Sequence, residues 1–373
     1  MNVKMAIIFG TVMLLTMGLI SFTYYRLLIR FVSLFNKKER KDYGKRIKAI
    51  YIILSVVMTS LTVNFFSVVG IVLAHFIVIS WIIELVNIVV KFLFSDKNLN
   101  IWNCIIKSLI IPLICTVAIV IYGYINMHNV VRTEYIIHSN EVSEEYKIVF
   151  ISDVHYGTIV ADEEIDKAID RINKENADII ILGGDMVDES TSKEDILEAY
   201  NKLSKLKAKL GVYHVEGNHD RQKYSDSPTL SDDEYEELKN GLDIVFLEDD
   251  SIQVNNEILV AGRLDVSNQN RISENELLYG IDQSQFVIVA DHQPVNYKEE
   301  SKAGANLVVS GHTHAGQIFP IGLFTTLVGG AEQNYGLKLE DNTVCIVSSG
   351  LVGWGYPIRT SKNCEYVVIN LKP

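Results

Sequence analysis

The sequence has few cysteines and none of the short cysteine motifs that mark a metal site. Four cysteines occur in 373 residues, and no CxxC or Cys/His zinc-ribbon spacing joins them, so we expect none to bind a metal. Cys345 and Cys364 could form a disulfide outside the cell, but we favour two buried, reduced side chains. The chain also lacks a Gly-rich nucleotide loop, internal repeats and low-complexity tracts, which argues against a P-loop nucleotide site and a repeat fold.

Charge is distributed unevenly along the chain. Residues 1–132 carry 14 Lys and Arg against 4 Asp and Glu, a net charge of +10. Residues 133–373 carry 20 against 42, a net charge of −22, and the two parts sum to the −12 of the whole chain. This asymmetry predicts a membrane part joined to an acidic, soluble part. We expect a helical membrane domain over residues 1–128, a linker with an edge strand over 129–146, and a soluble domain over 147–373.

Four apolar segments in the first part are long enough to cross a bilayer. They cover residues 5–25, 49–66, 68–94 and 105–125. No small-residue cleavage pattern follows the first segment, so we expect it to be retained in the protein. The second and third segments should form a tight hairpin around residues 64–67.

Basic residues between the apolar segments predict the orientation of the chain. Nine Lys and Arg lie within residues 26–48, and Lys91, Lys97 and Lys107 should lie on the same side of the membrane. The positive-inside rule places these loops in the cytoplasm. Four crossings then make the chain a multi-pass cell-membrane protein whose soluble domain is extracellular, whereas an odd number would place that domain inside.

The soluble domain has the pattern of a layered α/β fold. Its first half alternates apolar strand runs with helical segments at residues 162–174 and 193–209. From about residue 241 short strand patterns dominate instead. We therefore expect a second sheet packed against the first.

Five polar motifs in this domain each follow an apolar, β-branched run that is typical of a buried strand. The motifs are Asp153-Val154-His155, Gly183-Gly184-Asp185, Gly217-Asn218-His219-Asp220, Asp291-His292 and Gly311-His312-Thr313-His314. Side chains at the carboxyl ends of parallel strands meet at one edge of a sheet. We expect the motifs to form one site there.

The donor types in these motifs predict a centre for two metal ions. Asp153 and His155 are two residues apart, so both side chains can point to one face. Carboxylates mixed with imidazoles suit Zn, Mn or Fe better than Mg or Ca. Asp185 follows two glycines, and its carboxylate could bridge two ions that clamp a phosphoryl group. Each motif alone could be ordinary loop or packing, so the prediction depends on all five occurring in order.

Taken together, these motifs resemble those of the calcineurin-like metallophosphoesterase family. Residues 311–317 and Pro357-Ile358-Arg359 are similar to its membrane-associated bacterial branch. The resemblance covers roughly residues 145–373. It implies a four-layer αββα metallophosphoesterase sandwich preceded by the helical membrane domain.

The resemblance also implies a role for each motif residue. One metal ion would be bound by Asp153, His155, Asp185 and His314, and the second by Asp185, Asn218, His292 and His312. His219 would contact the scissile phosphate and protonate the leaving oxygen, and Asp220 would orient His219. The cofactors would be two divalent ions, with Mn, Zn or Fe favoured.

These observations predict a membrane-anchored, dinuclear metal-dependent phosphoesterase acting on a phosphomonoester or phosphodiester. A site close to the outer membrane surface favours a phospholipid or a cell-wall polymer as substrate, and we expect no specific nucleic acid partner. The alternative is a non-catalytic membrane sensor or scaffold that binds a phosphorylated ligand. A degenerate domain should have lost donors, and the complete set argues against that alternative.

Overall fold

The computed structural model describes residues 3–36, 43–64, 67–94 and 99–373 of the chain. The chain divides into two compact units, Met1–Ile121 and Tyr122–Pro373. Each unit has its own clusters of buried apolar side chains.

The first unit is helical. Its helices are α1 (Val3–Asn36), α2 (Lys45–Thr62), α3 (Val68–Leu93), α4 (Asn100–Ser108) and α5 (Ile110–Met127), the last of which continues into the second unit. Among the described residues, three helical stretches are long and apolar enough to cross a membrane: Gly10–Phe35, Val68–Leu93 and Ile110–Met127. This helix content supports membrane association of the chain.

The number of candidate membrane helices differs from the predicted four. The segment expected at residues 49–66 is helical as far as Thr62, but α2 contains Lys45, Arg46 and Lys48 in its 18 residues, and charged groups are costly in a bilayer. Residues 65–66 of the predicted hairpin lie outside the described residues. The segment expected at 105–125 is divided between α4 and α5 at Leu109, whose backbone is left-handed with φ 57°. An even number of crossings therefore does not follow from helix content alone.

Polar side chains within these helices are paired. Glu84 of α3 forms an ion pair with Arg30 of α1, and the indole of Trp81 donates a hydrogen bond to Thr23 Oγ1 at 2.9 Å. Pairing of this kind lowers the cost of placing polar groups among apolar helices.

The second unit contains two six-stranded sheets. The first sheet has the order β1-β12-β2-β3-β4-β5, with β1 (Val130–His138), β2 (Tyr146–Ile151), β3 (Ile179–Leu182), β4 (Val212–His214), β5 (Val245–Phe246) and β12 (Cys364–Lys372). The second has the order β10-β11-β9-β8-β7-β6, with β6 (Asp250–Gln253), β7 (Ile258–Gly262), β8 (Phe286–Ala290), β9 (Leu307–Ser310), β10 (Gly336–Glu340) and β11 (Thr343–Val347).

Helices cover the outer faces of both sheets. They are α6 (Asp162–Asn173), α7 (Lys193–Leu203), α8 (Asp232–Asn240), α9 (Glu274–Leu277) and α10 (Tyr297–Ala303). A further helix, α11 (Ile321–Leu327), packs beside the turn at His314–Gly316 that follows β9. One apolar cluster joins the inner faces of the two sheets and includes Phe150 and Ile288. A second packs α6, α7 and α8 on the first sheet, and a third packs α9 and α10 on the second sheet. The four-layer αββα sandwich is thereby confirmed.

Strand direction brings the polar motifs to one side of this sandwich. Strands β2, β3 and β4 are parallel neighbours in the first sheet, and β8 and β9 are parallel neighbours in the second. These strands are apolar because parallel strands between two layers are covered on both faces. Their polar residues follow at the carboxyl ends, where the site lies.

The two cysteines of this unit are buried and do not form a disulfide in the described chain. Cys345 lies in β11 of the second sheet and Cys364 begins β12 of the first. The favoured interpretation of two buried thiols agrees with the structure.

His214, at the end of β4, should make the fold sensitive to acid. Its side chain is fully buried beside Phe246, and burial lowers its pKa to about 3. The unfolded chain binds a proton at this residue near pH 6.5, so stability is lost as the pH falls below that value. At pH 5 the loss amounts to about 2 kcal/mol.

We therefore expect His214→Phe to reduce the acid sensitivity of folding. Phe keeps the ring packing and removes the titrating group, so the thermal unfolding midpoint should fall less between pH 7 and pH 5 than in the unsubstituted protein. The control is His138→Phe, because His138 is exposed. Parallel pH curves for all three proteins would contradict the prediction.

Candidate metal centre

Six donor residues from four of the five motifs converge into two adjacent groups. The first contains Asp153, His155 and His314, and the second contains Asp185, His292 and His312. Within each group the candidate donor atoms all lie within 4.8 Å of one another. All six predicted carboxylate and imidazole ligands therefore belong to one of the two groups.

Left-handed backbone conformations turn these donors toward one another. The φ angles are 54° at Asp153, 42° at His155, 56° at Asp185, 66° at His312 and 49° at His314. Residues other than glycine rarely adopt positive φ, although Asp and His do so more readily than most. The strand ends are therefore shaped locally to present the donors.

The glycines in the motifs are required by close packing around the donors. Gly184 has φ 88°, and a Cβ atom there would lie 2.5 Å from the backbone nitrogen of Gly217. A Cβ atom at Gly217 would overlap the carboxylate of Asp185, and one at Gly311 would overlap that of Asp153. Any side chain at these positions would occupy the space that the donors need.

Asp185 belongs to the second group and also faces the first. Its Oδ2 atom is 3.0 Å from Nε2 of His292 and 4.0 Å from Nε2 of His155. Its Oδ1 atom accepts a hydrogen bond from the backbone N–H of His219 at 2.9 Å. Burial raises the pKa of Asp185, but the neighbouring His292 outweighs it and holds the pKa below the usual range. The ionised carboxylate therefore faces both groups.

Three imidazoles of the site are held in the neutral form that binds metals. Burial lowers the pKa of His155 and of His312 to about 4 each, and it lowers the pKa of His314 well below the usual value. The Nε2 atoms of His155 and His314 face each other at 3.3 Å. A neutral ring with Nε2 unprotonated presents a lone pair at that position.

His292 and Asn218 complete the donor set. The Nδ1 atom of His292 donates to the carbonyl oxygen of Gly183 at 2.7 Å, which directs Nε2 toward Asp185. The Oδ1 atom of Asn218 is buried and has no hydrogen-bond partner in the described part of the chain. An unpartnered buried acceptor beside carboxylates and imidazoles fits a divalent cation. The residues present therefore fit a pair of divalent ions.

Asp220 does not have the expected contact with His219. Its carboxylate accepts backbone hydrogen bonds from Asp185 at 2.9 Å, Met186 at 2.7 Å and Gly217 at 2.7 Å. These bonds join the two loops that follow β3 and β4. The expected orienting role of Asp220 is thus corrected, because its acceptor atoms are used by the backbone.

Glu189 contacts His219 in place of Asp220. The Nδ1 atom of His219 lies 2.5 Å from Oε2 of Glu189. Because a carboxylate accepts, Nδ1 carries a proton and the Nε2 edge of the ring is left for a ligand. Sequence reasoning missed Glu189, whose only signal is its position four residues after Asp185, in the same loop.

Aromatic side chains form one wall beside His219. The ring of Trp354 stacks on the imidazole with centroids 5.6 Å apart, and Tyr224 makes an edge contact at 5.5 Å. Neither aromatic residue was predicted as part of the site. Both lie in loops that strand periodicity does not describe.

Two further residues singled out by the sequence lie beside the donors, and Arg359 reaches one of them, with its Nη2 atom 3.4 Å from Nδ1 of His314. Asp291 forms an ion pair with Arg271, with Oδ1 accepting from Nη1 at 2.9 Å. Arg359 is fully buried and donates to the carbonyl oxygens of Ser349 at 2.7 Å and Asn363 at 3.0 Å. Both support the surrounding loops.

Comparison with known proteins finds one family. A family model described as calcineurin-like phosphoesterase matches residues 146–316. An uncharacterized metallophosphoesterase of Aquifex aeolicus is 30% identical over 241 residues, which cover 61% of this chain and 85% of that protein. An uncharacterized metallophosphoesterase of Helicobacter pylori is 30% identical over 245 residues, which cover 64% of this chain and 62% of that protein, less than two thirds of its length.

A vertebrate protein shares a longer part of the chain. It is named transmembrane protein with metallophosphoesterase domain, from Danio rerio, and is 26% identical over 285 residues. The match covers 71% of this chain and 63% of that protein. The similarity thus includes relatives named for membrane segments.

The position of Asp185, which faces both groups, makes a prediction about metal content. Asp185→Asn removes the one charge that both groups share, so we expect bound metal to fall from about two ions per chain to below one. His314→Ala and His292→Ala should each remove about one ion. Mass spectrometry of metals in the purified full chain measures these contents.

Asp226→Asn is the matched control, because Asp226 is an exposed carboxylate in a nearby loop. It should keep the full metal content. Two ions retained in Asp185→Asn would show that Asp185 is not shared between them.

Proposed function

The chain belongs to the calcineurin-like metallophosphoesterase family, and we propose that it is a membrane-anchored phosphoesterase that uses two divalent metal ions. The observation that carries the proposal is the carboxylate of Asp185, which belongs to one group of donors and faces His155 of the other, with His219 beside it. A mixture of carboxylate, amide and imidazole donors suits Mn, Zn or Fe.

The proposed ligands are those expected from the family. One ion would be held by Asp153, His155, Asp185 and His314, and the other by Asp185, Asn218, His292 and His312. When bound, such ions supply Lewis acidity that activates water and offsets charge on the phosphoryl oxygens.

His219 would act on the leaving oxygen. Its ring is fixed by Glu189 at Nδ1 and by the stacked Trp354, so its Nε2 edge can reach a phosphoester bound beside the donors. Proton donation from this edge would help the leaving group depart. Glu189 acts through His219 and is therefore a positioning residue.

Membrane association limits the classes of phosphoester that we propose as substrates. A site tethered close to a bilayer favours a phospholipid or a cell-wall polymer over a free nucleotide, and both phosphomonoesters and phosphodiesters are candidates. The proposed division of the chain is a membrane domain over residues 1–128, a short linker that passes into an edge strand over 129–146, and the phosphoesterase domain over 147–373.

We expect the detergent-purified full chain to hydrolyse at least one member of a phosphoester panel in the presence of Mn, Zn or Mg. The panel should include chromogenic monoesters and diesters, phospholipids and wall polymers. His219→Ala should lower turnover by about 10²–10⁴-fold, the usual contribution of a general acid. Metal content should stay near that of the unsubstituted protein. Loss of metal in this variant would identify His219 as a ligand instead.

Glu189→Gln provides a graded comparison. It keeps the size of the side chain but removes its charge, so turnover should fall less than in His219→Ala while KM and metal content stay close to their original values. Unaltered turnover would remove Glu189 from the mechanism. Absence of hydrolysis across the whole panel with a full metal content would favour the sensor or scaffold alternative.

We propose that the phosphoesterase domain lies outside the cytoplasm. The charges of α2 lie in its first four residues, Lys45 to Lys48, where long side chains can reach the headgroups. A crossing by α2 would then restore the even number that exports the domain. Protease added to intact cells or protoplasts should cut the exposed loop at residues 225–231 and spare residues 37–48. The reverse pattern would place the domain in the cytoplasm.

A further inference from the structure

An apolar surface lies directly beside the candidate metal centre. No Asp, Glu, Lys or Arg occurs between Lys302 and Glu332, although the rest of this part of the chain is strongly acidic. Five large side chains of residues 319–328, here named the apolar segment, are 60–81% exposed: Phe319, Leu323, Phe324, Leu327 and Val328. Contiguous exposed apolar side chains of this kind mark an interaction surface.

The fold holds the apolar segment with its large side chains directed outward. Its helix α11 approaches the domain through Gly322, where a Cβ atom would overlap the side chain of Asn334. A Cβ atom at Gly316 would likewise overlap the backbone of Gly322. Gly316 lies two residues after His314, so the surface begins next to a donor of the site.

Polar contacts fix the base of the apolar segment to a neighbouring loop. The side chain of Gln317 is buried and donates to the carbonyl oxygens of Trp354 at 2.9 Å and Ile358 at 3.2 Å. The backbone N–H of Phe319 donates to Oγ1 of Thr360 at 3.1 Å. Residues 354–362, here named the strap, therefore hold the segment in place.

The strap also contacts the end of a candidate membrane helix. Asn126, near the end of α5, donates to the carbonyl oxygens of Arg359 at 3.0 Å and Lys362 at 3.2 Å. The N–H of Arg359 donates to the carbonyl oxygen of Gly123 at 2.9 Å. Because α5 is apolar enough to cross a bilayer, the same strap joins the apolar segment to the point where a membrane helix ends.

A cavity at the base of the segment has a mixed lining. Its volume is about 420 Å³, and its walls include Phe319, Leu323, Tyr335 and Lys362. Apolar walls with one ammonium group suit an amphiphile that carries an anionic headgroup. Both the exposed apolar segment and the cavity therefore suit contact with lipid.

We propose that the apolar segment docks into the headgroup and acyl-chain boundary of the bilayer that anchors the chain. The continuity of the segment with the end of α5 through the strap identifies the bilayer as its occupant. An uncharged surface can approach anionic lipids without the repulsion that the acidic remainder of the domain experiences. The docking goes beyond the proposed hydrolysis and does not depend on it.

The test places an environment-sensitive probe on the segment in the full-length protein. Leu327→Cys in a Cys104→Ser, Cys115→Ser background is labelled with the fluorophore NBD, while the buried Cys345 and Cys364 stay unlabelled. The protein is reconstituted into vesicles of phosphatidylcholine and phosphatidylglycerol, with either natural or brominated acyl chains. Brominated chains should quench the NBD emission at least twofold. NBD at a second position, Leu323→Cys, should be quenched to a similar extent. This second variant keeps the test valid if Leu327→Cys does not fold.

Tyr279→Cys is the matched control, because Tyr279 is 88% exposed and lies elsewhere in the second unit. Its NBD emission should not change with bromination. Equal emission in both lipids at positions 323 and 327 would overturn the proposal. NBD emission could instead depend on protein concentration in detergent and not on bromination of the lipid. That result would show that a second copy of the chain covers this surface, and it would also overturn the proposal. The bromination and concentration measurements do not depend on catalysis. They therefore test the docking proposal even if the hydrolysis assay fails.

Discussion

The left-handed backbone at the strand ends is the constraint on which the site depends. Five of the seven proposed ligands have φ between 42° and 66°, and each such residue costs roughly 1–2 kcal/mol relative to a right-handed conformation. Their sum is on the order of 5–10 kcal/mol, comparable with the whole stability of a typical domain. Asp and His reduce this cost because they tolerate the conformation better than most residues. The remainder has to be offset by the surrounding loops.

Carboxylates that accept backbone hydrogen bonds supply this support. Asp220 joins the loops after β3 and β4 through the N–H groups of Asp185 and Gly217, and Asp153 accepts from the N–H of His312 across the two sheets at 3.0 Å. Each carboxylate has two oxygens that can accept several N–H groups at once, so a few of them can hold several strained turns. The carboxylates of the site therefore have two roles. Asp153 and Asp185 are candidate metal ligands, whereas Asp220 holds the loops that carry the ligands.

The sequence predicts the sandwich and the donor positions because both depend on periodic patterns. Apolar, β-branched runs identify β2, β3, β4, β8 and β9, and the residues after them must lie at one edge. The roles of Asp220 and Glu189 could not be predicted, because the direction of each carboxylate depends on turn geometry that periodicity does not contain. Leu109 itself is neither proline nor glycine, but Pro112 lies three residues later, inside the predicted segment. A proline within an apolar helical run marks a possible break, and the prediction of one span over residues 105–125 did not use that signal. The 18 residues of α2 are long enough to cross a bilayer, but its three charged residues argue against a crossing. Composition alone does not decide between these two possibilities for α2.

Tethering changes how strong a membrane contact of the apolar segment has to be. Strand β1 begins at Val130, three residues after α5 ends at Met127, so the domain has almost no linker between it and a candidate membrane helix. A short tether gives an effective concentration of about 1 mM or more for a second contact. A surface with only five large apolar side chains can then stay docked, although it would be too weak to recruit a free domain. The same tether would limit the site to phosphoesters that lie within reach of the headgroups, so the fold itself would select the substrate by position before any pocket residue contacts it.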